Sequence, residues 1–173
     1  MSEDPIMQSR ACWVYQKYGN FEFTNPDHLR AACNKICEHL YSPHMPVKVE
    51  AALAISELLE HDVAVEFIRP NLGSVIDIFL RIMDEIDFEE LISALKKIVV
   101  IYEHEIAPHA EKLCQKLSDA YIRITNNGKV DWNDIDTQEA LNSDSLMTAI
   151  RRVLNSISGK FPEIYPRLEA ILE

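Results

Sequence analysis

Four carboxylates and a tryptophan gather in Asp131-Trp132-Asn133-Asp134-Ile135-Asp136-Thr137-Gln138-Glu139, with no basic residue between them. Asp131, Trp132, Asp134, Asp136 and Glu139 could therefore grip a lysine- and arginine-rich protein. The carboxylates would act by long-range steering, and Trp132 would offer a cation–π contact of roughly 0.5 to 2 kcal/mol. A solvated loop whose Trp132 packs back on neighbouring helices uses the same residues. A second acidic run, Asp84-Glu85-Ile86-Asp87-Phe88-Glu89-Glu90, ends where a helix should begin. Glu89 and Glu90 either contribute to the same basic partner or stabilise the helix start through its dipole. Asp131, Asp134 and Asp136 do not make a calcium loop, because the glycine and terminal glutamate that such a loop requires are missing from their positions.

Metal and catalytic chemistry have weaker candidates. Cys33 and Cys37 stand one helical turn apart, with His39 and His44 following. Without a second pair at matching spacing this is a poor zinc pattern, and buried thiols in a helix interface account for it. In His104-Glu105-Ile106-Ala107-Pro108-His109 the two histidines are five positions apart and a helix-starting proline intervenes, so they cannot share one helical face. The sequence has neither a glycine-rich phosphate loop nor a nucleophile elbow. We expect no enzyme activity, no metal and no cofactor.

The elements that would carry these residues are helical. Only four glycines occur among 173 residues, and 47% of the chain is hydrophobic, so hairpin turns lack their usual residue while a core can form. A net charge of -11 opposes general nucleic-acid binding, since neutralising phosphates needs a basic surface, and favours a basic protein partner. Sparse, irregularly spaced cysteines describe no disulfide framework, and no stretch reaches the roughly 18 apolar residues of a membrane span. The expectation is an intracellular protein with no membrane contact.

Apolar residues recur at helical spacing: Leu72, Val75, Ile76, Phe79, Leu80 and Met83; Leu91, Ile92, Leu95, Ile98 and Val99; Ala110, Leu113, Cys114, Leu117, Ala120, Tyr121 and Ile124; Leu146, Met147, Ile150, Val153, Leu154 and Ile157. Another helix is expected around Ala11 to Tyr18. Asn25-Pro26 reads as a cap followed by proline at the first helical position, and Pro46, Pro70, Pro108 and Pro162 open further helices. Ile68-Arg69-Pro70 and Ile106-Ala107-Pro108 lie 38 positions apart. Ile164-Tyr165-Pro166 follows 58 positions later, and the excess matches an insertion at about 126–145. A helix pair repeating at this period is close to the roughly 40 to 47 residues of HEAT and armadillo units. The expected fold is all-α, a right-handed α-α superhelix of about eight helices. It forms a single solenoid segment over 1–173, and its ends lack polar caps, as in a piece of a longer solenoid.

Two segments carry a family resemblance: Arg10-Ala11-Cys12-Trp13-Val14 and Met45-Pro46-Val47-Lys48-Val49-Glu50-Ala51-Ala52-Leu53-Ala54. They resemble the middle portion of nuclear import receptors of the importin-seven and importin-eight type, in the importin-β superfamily. The resemblance runs from about Arg10 to Ile124, taking in Glu66-Phe67-Ile68-Arg69-Pro70 and Tyr102-Glu103-His104-Glu105-Ile106-Ala107-Pro108. It implies a role in protein import into the nucleus: binding basic cargo proteins, working with Ran GTPase and Phe-Gly nucleoporins through the full-length receptor, and shuttling between cytoplasm and nucleus. It places no Ran site in this segment. The alternative is a HEAT-repeat scaffold for protein–protein interaction without a transport role.

Read as an inner helix, the run from Val47 to Ile55 has alanines that allow close helix approach and Val, Leu and Ile that fill the layer. Its polar strip is Glu50, Ser56, Glu57 and Glu60.

Overall fold

The computed structural model describes residues 4–86, 88–127 and 147–155, and among these residues it contains helices and no strand. In order they are α1 (Pro5–Tyr18), α2 (Pro26–His39), α3 (Met45–Leu58), α4 (Asp62–Ile68), α5 (Leu72–Glu85), α6 (Glu89–Ile101) and α7 (Ala110–Asn127). A further helical stretch, α8, covers residues 147–155. The chain divides into two compact units, Met1–Ile98 and Val99–Glu173.

Capping explains the helix starts. The Asn25 side-chain oxygen accepts the backbone N–H of Asp27 at 2.8 Å, and Pro26 follows at the first helical position, where no N–H is missed. Asp4 and Pro5 repeat the device: the Asp4 carboxylate accepts the Ile6 N–H at 2.9 Å. Helix α1 therefore begins six positions before Ala11, earlier than the apolar spacing predicts, because its first turns bury little and leave no stripe. Pro70 and Pro108 each occupy a short 3-10 turn, Arg69–Asn71 and Ala107–His109, just ahead of α5 and α7. The isoleucines of the two motifs, Ile68 and Ile106, are buried and anchor those turns.

In the first unit α3 packs against α1, α2 and α5, and α2 packs against α4. Val47, Ala51, Ala52, Ala54, Ile55 and Leu58 are all shielded completely, so α3 is apolar on nearly every side, as a central helix must be. Its alanines leave room for the backbones of neighbouring helices. All six apolar residues of the α5 stripe are buried, Phe79 entirely. In the second unit Tyr102, Leu113, Cys114 and Leu117 form the buried face. There Arg152 donates from Nη1 to the Glu103 carboxylate at 2.7 Å. Met147, placed on a buried stripe by its spacing, is instead exposed, and Ala149 is buried in that turn with Ile150 and Val153. Ile150 and Val153 are buried as their spacing predicts, and Met147 stands at the first position of the described stretch.

The observed architecture is all-α and HEAT-like: amphipathic helices, joined by short proline-marked turns, stack their apolar faces on one another.

Candidate functional site

Polar groups collect along one side of α3. The residues Pro46, Val47 and Glu50 form a wall of an open groove of about 440 Å³, and Ser9, Arg10 and Trp13 of α1 form the opposite wall. Further along the same helices, Leu53, Ser56 and Glu57 of α3 and Gln16 of α1 border a second groove of about 340 Å³. Its far side is Glu90, Ser93 and Lys97 of α6. Pro46, Glu50, Leu53 and Glu57 follow the i, i+4, i+7, i+11 spacing of one helical face, and Trp13 and Gln16 are a turn apart on α1. The grooves are successive turns of one seam.

The carboxylates of this seam differ in state. Lys97 reaches Glu57 at 3.2 Å and Glu60 at 2.7 Å. Burial opposes the ammonium charge, but hydrogen bonds with Glu60 and Glu57, together with their field, outweigh it and hold the Lys97 pKa above its ordinary value. Ser56 turns inward and donates to the Leu53 carbonyl at 2.8 Å. Glu50 is half-buried, and its Oε2 is buried without a hydrogen-bond partner. Desolvation pushes the Glu50 pKa up, against the opposing fields of Lys17 and Arg10. The Glu50 charge also adds to burial in raising the nearby Cys12 thiol to about 11.

Of the residues that the sequence nominates, Asp131, Trp132, Asp134, Asp136 and Glu139 lie outside the described residues. Glu89 is the first residue of α6, and Glu90, exposed, lines the second groove opposite Glu57. Trp13 is not singled out for binding by composition or spacing. The signal for Glu50 is its place as the lone acid in the run from Val47 to Ile55.

Cys33 is buried and Cys37 half-buried on α2, with thiols pushed up by burial to about 12 and about 11. His39 is buried at the end of the same helix, and its Nε2 has no hydrogen-bond partner. His44 is exposed before α3. Among the described residues, no three His, Cys, Asp or Glu side chains come together as metal ligands. In the same residues, no helix is long and apolar enough to cross a membrane.

Amphipathic helices stacked on one another define a HEAT-like helical fragment. Among known proteins, the chain is 30% identical over 165 residues to the importin beta-like SAD2 homolog of Arabidopsis thaliana, covering 94% of this chain and 16% of that protein. It is 28% identical over 171 residues to the probable importin-7 homolog of Dictyostelium discoideum, covering 97% and 16%. Importin-8 of Danio rerio is 28% identical over 167 residues, covering 95% and 16%. No family model and no solved structure matches significantly. The chain belongs to the importin-β family, of the importin-seven and importin-eight type, and spans about one sixth of the length of the curated relatives it matches.

Proposed function

We propose that this chain serves as a HEAT-repeat segment of a nuclear import receptor, contributing to the surface that holds basic cargo proteins. In this role the full-length protein binds Ran GTPase and Phe-Gly nucleoporins through other parts and shuttles between cytoplasm and nucleus. The role is one of binding, with no catalytic step. The observation that carries it is the match to proteins named importins over more than nine-tenths of the chain. A net charge of -11 supports a basic partner, because opposite charge raises encounter rates and rejects acidic competitors. Asp131, Trp132, Asp134, Asp136 and Glu139 are proposed to contact the same basic partner.

An import assay in permeabilised cells tests the role. The full-length protein should carry a fluorescent basic protein into nuclei, and Ran loaded with GTP should release the cargo. A protein that neither binds Ran-GTP nor moves cargo would be a scaffold of another kind.

A further inference from the structure

We draw no further inference here: the strongest candidate, the exposed apolar face of α1 formed by Met7, Val14 and Tyr18, carries nothing because nothing among the described residues shows what covers it.

Discussion

The imidazole Nε2 of His61 lies 2.7 Å from the carbonyl oxygen of Gly19, joining the start of α4 to the end of α1 across 42 positions of sequence. With a carbonyl as its partner, Nε2 carries the proton and donates. The same ring meets Phe23 edge-on at 5.3 Å between centroids, which holds it in place. His61→Ala leaves the buried Gly19 carbonyl without its side-chain donor. It should lower stability by about 1 to 2 kcal/mol in urea unfolding, and an unchanged midpoint would remove this contact from the fold's supports.

Gly19 itself tolerates no side chain. A Cβ there would collide with the Tyr15 carbonyl oxygen and stand 3.3 Å from Cδ2 of the buried Leu58. The backbone oxygen cannot give way cheaply, since it already accepts the Gly19 N–H at 2.7 Å. Gly19→Ala should therefore cost about 1 to 3 kcal/mol, where an ordinary surface glycine would gain from the change. Thermal unfolding with a midpoint at or above that of the wild type would contradict this.

The four thiols should be slow to react. Burial raises Cys12, Cys37 and Cys114 to about 11 and Cys33, with the added field of Cys37, to about 12. At neutral pH all four remain thiols, and the thiolate is the reactive form. An aromatic disulfide reagent should label the native chain slowly, Cys37 first, and all four cysteines rapidly in denaturant. Because the folded pKa values exceed the unfolded value of 9.0, this contribution to stability is complete below pH 9 and is lost as pH rises through about 11 to 12. Fast labelling of Cys33 in the native chain would contradict the packing of α2.

Much of this arrangement is legible in the sequence, and the losses have physical reasons. Asn25-Pro26 marks a helix start because cap chemistry is local, and the Ile-x-Pro recurrence marks two 3-10 turns that each lead into a helix. Asp4-Pro5 carries the same cap signal, but the weakly buried first turns of α1 give no apolar stripe to extend it. Met147 misleads because apolar type alone does not fix which turn faces the core. Glu50 stands out as an acid in an apolar helix, yet its groove depends on which face of α1 lies opposite. No spacing within α3 reveals that Trp13, 37 positions earlier, forms the facing wall.

Glu50 should cost stability. Its folded pKa is raised, chiefly by desolvation. As pH rises past the ordinary carboxylate value of 4.5, the unfolded chain ionises first and folding is penalised. Glu50→Gln should therefore have a urea midpoint at or above that of the wild type at pH 7, with any gain shrinking below pH 4.5. A variant less stable at pH 7 would mean that the charge supports the fold.

Binding of ribosomal or histone proteins to the full-length protein through a salt series tests the central claim most directly. An acidic receptor surface predicts tight binding at low salt that weakens steeply as salt rises, with no affinity for acidic proteins of similar size. Absent binding, or binding that salt does not change, would contradict it.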